Sequence, residues 1–231
     1  MRVVTNHKSQ ITNHHISTEA SSGITLGEHI VIATRNRHKF EEIVEILEEE
    51  CGEFLIPNSE LRTPNSYFIF AGDIADLPEV EEDGDSLYEN ALKKAKEVAE
   101  YTGVACLADD TGFFVRALNG EPGINAAIYA GKGCTYDDNV NKLLSMMQGK
   151  EDNYAYFQTV CVYYDPTAKT IIATEGILEG HIISDKRGKN GFGYDPVFVP
   201  LGSEKTLSEM SEVEKNKISH RRKAISQFLR G

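Results

Sequence analysis

The sequence predicts a mixed α/β fold, and three observations carry that prediction. Short apolar runs alternate with stretches of helical periodicity, two long alternating segments follow one another in the second half, and glycine-rich turns separate them. With 231 residues the chain is long enough for one substantial core, or for two lobes sharing a cleft.

Residues 1–28 are polar, hold three of the seven histidines, and repeat Thr-Asn-His at 5–7 and 12–14. Such a stretch buries too little apolar surface to fold, so a disordered extension is expected there. The organised part begins at His29, with a short buried strand to Thr34. From Arg37 to Glu50, Phe40, Ile43, Val44 and Leu47 fall at helical spacing. Pro-Asn-Ser at 57–59 and again at 64–66 marks a loop insertion at about 57–66, and Tyr67 to Ala71 reads as a strand. Ser86, with Glu89 three residues on, forms a capping box for a helix from Leu87 to about Tyr101. That helix turns Ala91, Ala95, Val98 and Ala99 inward and stops at Gly103.

Val104 to Ala108 reads as a strand running into Asp109-Asp110-Thr111-Gly112, with Phe113 to Ala117 returning as a second strand. Leu118 to Lys132 is irregular, and Asp137 to Met147 is helical. Tyr154 to Tyr164 and Thr170 to Ile183 alternate as a long antiparallel pair, the expected body of a second lobe. A glycine-rich loop, Lys186 to Pro196, precedes a last helix from about Ser219 to Leu229.

The formal net charge of −12 argues against broad binding to nucleic acid or an anionic membrane. It leaves an anionic small substrate open, because a local basic pocket with a metal ion holds phosphate whatever the total charge. Four scattered cysteines (51, 106, 134, 161) show neither CxxC nor zinc-ligand spacing, so free thiols are expected. With no secretory signal and no apolar run near the ~20 residues of a membrane span, the expected location is the cytoplasm.

Four segments carry candidate chemistry. Thr34-Arg35-Asn36-Arg37-His38-Lys39 joins a strand end to a helix start, where backbone N–H groups and the helix dipole favour an anion. It lacks the glycines of a Walker loop, and an ordinary capped helix explains it too. Asp109-Asp110-Thr111-Gly112 sets two carboxylates side by side at a strand end, where a hard cation such as Mg²⁺ relieves their repulsion. Glu81-Glu82-Asp83 offers a complementary ligand; the alternative for the aspartate pair is a β-turn with Gly112 at positive φ. Lys189-Asn190-Gly191-Phe192-Gly193-Tyr194-Asp195-Pro196 suits close approach of backbone to a flat ring, or is a plain turn. Lys215, His220, Arg221 and Arg222 form a basic group around the start of the last helix, or a solvated face.

In order along the chain, these segments resemble the motifs of the inosine triphosphate pyrophosphatase, or Ham1-like, family. The elements are Ile30 to Lys39, Ser86 to Ala91, Ala108 to Gly112, Ala117 to Gly123, Gly191 to Pro196 and Glu214 to Arg221, so the likeness spans His29 to Leu229. The resemblance implies a two-lobed fold with a long twisted mixed sheet flanked by helices, a central substrate cleft and a homodimer. It implies Mg²⁺-dependent hydrolysis of non-canonical purine nucleoside triphosphates (ITP, dITP, XTP) to monophosphate and pyrophosphate. By the same likeness Thr34, Arg35, Asn36, Arg37, His38 and Lys39 form the phosphate loop. Asp110 is metal ligand and base, Thr111 touches substrate, and Glu81 is the acidic metal-side residue, with Glu82 one register away. Phe192, Gly193, Tyr194, Asp195, Lys215, His220 and Arg221 form the base and substrate pocket. Donors from His220, Arg221 or the backbone near Tyr194 are expected to meet a 6-keto group, while Asp110 or Asp109 orients the water and Lys39 neutralises phosphate. Ile128 and Ala126 depart from the arginine and serine usual in the family. A pyrophosphatase for modified pyrimidine nucleotides, or a nucleotide-binding regulator without turnover, are the alternatives.

Overall fold

Alternation within the first strand sets up the whole architecture. The computed structural model describes residues 29–51 and 67–230. The expected extension at 1–28 and insertion at about 57–66 fall outside the described residues. In β1 (Ile30–Ile32), Ile30 and Ile32 face one side of the sheet and Val31 the other, and all three are buried. A strand hydrophobic on both faces belongs inside an α/β sheet rather than at its edge, with helices above and below.

That is its place. The sheet runs β2 (Phe68–Phe70), β1, β3 (Cys106–Val115), β5 (Tyr154–Asp165), β6 (Thr170–Ile182) and β7 (Phe198–Pro200), with β4 (Pro122–Gly123) also paired to β3. β2, β1 and β3 are parallel, joined by helical crossovers, and the rest of the sheet is antiparallel. On one face lie α1 (Arg37–Cys51) and α5 (His220–Arg230), with Phe40, Ile43, Leu47, Ile225 and Phe228 against Ile30, Ile32 and Leu107. On the other lies α2 (Leu87–Thr102), with Ala91, Ala95, Val98 and Ala99 against Val31, Cys106 and Ala108. A third apolar cluster fills the far end of the sheet, where α3 (Tyr136–Met147) sets Val140 and Leu143 against Phe113, Val115 and Phe157.

The helix boundaries follow local chemistry. Ser86 Oγ accepts from Glu89 N at 3.1 Å, and Gly103 closes α2 at φ 71°. The expected capping box closes one residue early, because the Glu89 carboxylate accepts from Asp85 N at 2.8 Å.

The sequence reading fails in three places. Asp109 to Gly112 is no turn: β3 runs unbroken from Cys106 to Val115, paired along its length with β5. Gly112 is therefore extended, and a Cβ there would meet Phe114 Cε2 at 2.5 Å and the Gly123 carbonyl oxygen at 3.0 Å, so close packing explains this glycine. The β5–β6 hairpin is not the body of a separate lobe either. It is the spine both ends share, because β5 packs against α2 and α5 at one end and joins Phe157 to the third cluster at the other. Finally, β7 and the short helix α4 (Glu212–Ile218) were unforeseen, although Ser211 and Glu214 form the capping box that starts α4.

Candidate active site

β3 carries its polar residues at the waist between the apolar clusters. Leu107 belongs to the α1/α5 face and Ala108 to the α2 face, so Asp109 and Asp110 must point to opposite faces. Their partners agree. Asp109 Oδ2 accepts from Arg221 Nε at 3.0 Å and Nη2 at 2.9 Å, both from α5, and lies 3.5 Å from Lys39 Nζ on α1. Asp110 looks toward α2: its Oδ2 accepts from Asn90 Nδ2 at 3.2 Å, and its Oδ1 lies 3.7 Å from Lys94 Nζ. Adjacent carboxylates thus coexist because the pleat separates them and each faces its own lysine.

Their proton affinities diverge accordingly. Burial pushes the Asp109 carboxyl up, but Lys39, Arg221 and Lys94 together outweigh it and hold the group far below the usual carboxylate range. Burial also raises Asp110; Lys94 offsets part of this, Glu82 adds to it, and the net shift is upward. Asp109 is therefore a fixed anion, and Asp110 is the more basic carboxylate.

Both line a cleft of about 380 Å³ whose walls come from every segment with candidate chemistry. From the strand–helix loop, Thr34, Arg35, Asn36 and Lys39 reach it; Asn36 Oδ1 caps α1 by accepting from His38 N at 3.0 Å and Lys39 N at 3.3 Å. Arg35 also donates to the Leu77 carbonyl at 2.6 Å. Arg37 and His38 do not reach the cleft. Arg37 bonds Asp73 at 2.8 Å and lies over the Phe70 ring, while the exposed His38 neighbours Glu41. They occupy the first turn of α1, where rotation carries successive side chains around the axis and only Lys39 returns to the cleft side.

On the acidic side Glu82 takes the place expected for Glu81. Glu82 lines the cleft and accepts from Lys94 Nζ at 3.0 Å, and Glu81 is absent from its wall. Residues 77–84 carry no regular structure, so sequence periodicity does not determine which of two neighbouring glutamates faces inward.

The glycine-rich loop and the α4–α5 junction close the opposite wall with Phe192, Gly193, Tyr194, Asp195, Lys215, His220 and Arg221. Gly191 needs its φ of 75°, with the Asp195 carboxylate where a side chain would go. Asp195 Oδ2 accepts from Phe192 N at 2.9 Å and from Lys215 Nζ at 2.7 Å, and Lys215 also sits 4.6 Å from the Phe192 ring centroid. Tyr194 donates its hydroxyl to the Ala126 carbonyl at 2.8 Å and stacks on Phe113. His220 stacks on Phe157, and burial followed by Arg221 and Lys215 drives its proton affinity well below the usual value, so the ring is neutral.

Arg221 lines the same wall. Only 1% exposed, it spends its guanidinium on Asp109 and, through Nη1, on Glu42 Oε2 at 2.7 Å. It ties α5 to β3 and α1 at the cleft wall. Thr111 Oγ1 shares this face, 2.7 Å from Thr159 Oγ1 on β5. Sequence reasoning missed Asn90, Lys94 and Glu42. The signal was there for Lys94, a charged residue on the apolar stripe of α2 between Ala91 and Val98. Ile128 is exposed, and Ala126 contributes its carbonyl rather than its side chain.

A mixed sheet with a waist cleft, lysines on three walls and paired carboxylates in its lining defines an α/β protein with a charged cleft. This chain belongs to the Ham1 family, whose model matches residues 30–231. It is 45% identical over 201 residues to a protein named dITP/XTP pyrophosphatase from Elusimicrobium minutum, covering 86% of this chain and 96% of that one. A protein of the same name from Thermoanaerobacter pseudethanolicus is 43% identical over 204 residues, covering 86% and 93%. The fold matches the Ham1 protein of Staphylococcus aureus at TM-score 0.73 and 34% identity, covering 88% of this chain and 98% of that one. It matches a HAM1 protein from Coxiella burnetii at TM-score 0.74 and 34% identity, covering 87% and 96%.

Proposed function

We propose that this chain hydrolyses non-canonical purine nucleoside triphosphates (dITP, XTP and ITP) to monophosphate and pyrophosphate. The observation that carries the reading is Asp110, a cleft-facing carboxylate set among lysines, in a chain so similar to proteins named dITP/XTP pyrophosphatase.

In this reading Lys39 and the loop of Thr34 to Asn36 hold the triphosphate. Asp110 orients the attacking water: its carboxylate faces the cleft, whereas the charge of Asp109 is committed to Arg221 and Lys39. Asn90 and the Thr111 backbone N–H, 3.0 Å from Asp110 Oδ1, fix the carboxylate's direction. Lys215 and the backbone N–H groups near Tyr194 meet the 6-keto edge of the base. An adenine amino group facing them leaves buried donors unpaired, at about 1–3 kcal/mol.

The residues fit Mg²⁺. Among the described residues no three His, Cys, Asp or Glu are grouped as a metal cage, yet Asp110 and Glu82 converge on the one ammonium of Lys94. One or two carboxylates, completed by phosphate oxygens and water, are the usual donor set for this ion. Asp110 and Glu82 would hold it, and when bound it neutralises charge developing on the phosphate oxygens. Among the described residues no helix is long and apolar enough to cross a membrane. The reading includes a homodimer acting in the cytoplasm, where the nucleotide pool is.

The test is pyrophosphate release from dITP, XTP, ITP, dATP, GTP and dUTP, with and without Mg²⁺, for the wild type and Asp110→Asn. Preferential cleavage of the first three, lowered at least ~10²-fold in the variant, is the expected result. Release from dUTP alone would favour a pyrimidine enzyme, and near-normal turnover of Asp110→Asn would remove the role assigned to Asp110.

A further inference from the structure

Tyr136 opens α3, and the helix makes no use of its ring. Thr135 and Asp138 already cap α3 with reciprocal bonds, and Lys142, further along the helix, donates to the Tyr129 carbonyl at 2.5 Å. The Tyr136 side chain instead leans out over the cleft mouth, 48% exposed, and forms part of the cleft wall. There it touches both the phosphate loop and the glycine-rich loop. Asn36 Nδ2 of the phosphate loop donates to its hydroxyl at 3.3 Å, and its ring centroid lies 6.0 Å from that of Phe192, tilted by 37°.

Each contact is of a kind that a ligand can replace. The Asn36–Tyr136 bond is long and exposed, so exchanging it for a bond to water or substrate costs little. Asn36 Oδ1 stays engaged in capping α1, so this exchange leaves the helix start intact. The two rings touch only loosely. A flat ring held between two others needs about 7 Å from one outer ring to the other, at ~3.5 Å per contact. The Tyr136–Phe192 separation of 6.0 Å falls about 1 Å short of that, a gap that a small rotation of an exposed side chain supplies. Phe192 is less free to turn, because its backbone N–H is bound to Asp195 and its ring lies beside Lys215.

We infer that Tyr136 is a binding contact for the nucleoside: its ring swings to cover the base and sugar opposite Phe192, and the Asn36 bond is given up as the nucleotide enters. The inference rests on the proposed nucleotide-hydrolysing function and adds to it a residue outside the acidic and basic groups. Such a contact acts on ground state and transition state alike, because the base takes no part in the bond changes at phosphorus. It therefore shows in KM and leaves kcat alone.

The experiment uses the full chain and two kinds of variant. Tyr136→Ala should raise KM for dITP about three- to tenfold, the range one aromatic contact supplies, with kcat within about twofold of wild type. Tyr136→Phe should restore most of that loss. Because the chain contains no tryptophan, Tyr136→Trp creates a single reporter whose emission should change saturably on titration with IMP plus pyrophosphate. An unchanged KM in Tyr136→Ala, a loss confined to kcat, or a tryptophan blind to IMP at concentrations that inhibit the wild type overturns the inference. A wild type that releases no pyrophosphate, with IMP still read by the tryptophan, removes the hydrolytic reading and leaves the nucleoside contact standing.

Discussion

Replacing Arg221 by methionine tests the internal tie at the cleft wall most directly. The side chain is 1% exposed and supplies three charge-assisted bonds: Nε and Nη2 to Asp109 at 3.0 and 2.9 Å, and Nη1 to Glu42 at 2.7 Å. Methionine fills similar volume but leaves two carboxylates, 2% and 8% exposed, short of their main partner. Lys39 at 3.5 Å still serves Asp109, whereas Glu42 has one oxygen, Oε1, without a partner among the described residues and loses the bond to the other. Breaking a buried pair from one side costs roughly 3–5 kcal/mol, much of it the desolvated charge left behind. That is a large part of a stability of about 5–15 kcal/mol.

The assay is urea unfolding followed by circular dichroism, with Glu42→Gln and the double variant completing a cycle. The expected outcome is a lowered midpoint at unchanged slope for Arg221→Met, with partial recovery when Glu42 is neutralised as well. If Arg221 instead reached the base edge as a free donor, the variant would change the preference for ITP over ATP and leave the midpoint near wild type. A loss below about 1 kcal/mol would refute the internal tie.

Two further outcomes follow from the packing. His220 is neutral in the fold, with its affinity for a proton depressed, while the unfolded chain takes up that proton below about pH 6.5. The unfolded state then binds more protons, so stability falls by up to ~1.4 kcal/mol per pH unit on acidification from 6.5 toward the depressed folded value. His220→Phe keeps the stack on Phe157 and should flatten that slope in urea midpoints measured between pH 5 and 7.5; an unaltered slope counts against a buried neutral ring. Gly176, in β6, lies under α5, and a Cβ there would meet Ala224 N at 2.6 Å and Lys223 Cβ at 2.8 Å. Gly176→Ala should cost about 3 kcal/mol in thermal or urea unfolding, since helix backbone cannot step aside as a side chain can; a loss under ~1 kcal/mol would mean that α5 packs less tightly.

Local chemistry made much of this fold legible in the sequence. The apolar spacing of Phe40, Ile43 and Leu47 and of Ala91, Ala95 and Val98, the cap at Ser86 and the stop at Gly103 lie within a few residues of what they determine. The long alternation from Tyr154 and from Thr170 likewise gave the central hairpin, because each strand's period is written in its own residues. The motifs also gathered into one cleft, although only Thr34 to Lys39 joins a strand end to a helix start; Asp109 to Gly112 lies mid-strand and Lys215 to Arg221 at a junction of two helices.

What tertiary structure alone decided is which way side chains point once elements pack. The doublet Asp109-Asp110 reads as a repelling pair or a turn, until pairing with β5 makes it mid-strand and sends one carboxylate to each face. Arg221 reads as part of a solvated or substrate-facing basic group, until α5 docks on β6 and turns it inward to Glu42, 179 residues earlier in the chain. Glu82 rather than Glu81 faces the cleft, because Lys94 on a neighbouring helix fixes that register. Partners so far apart along the chain leave no local pattern, since desolvation and charge pairing act only after the backbone has brought them together.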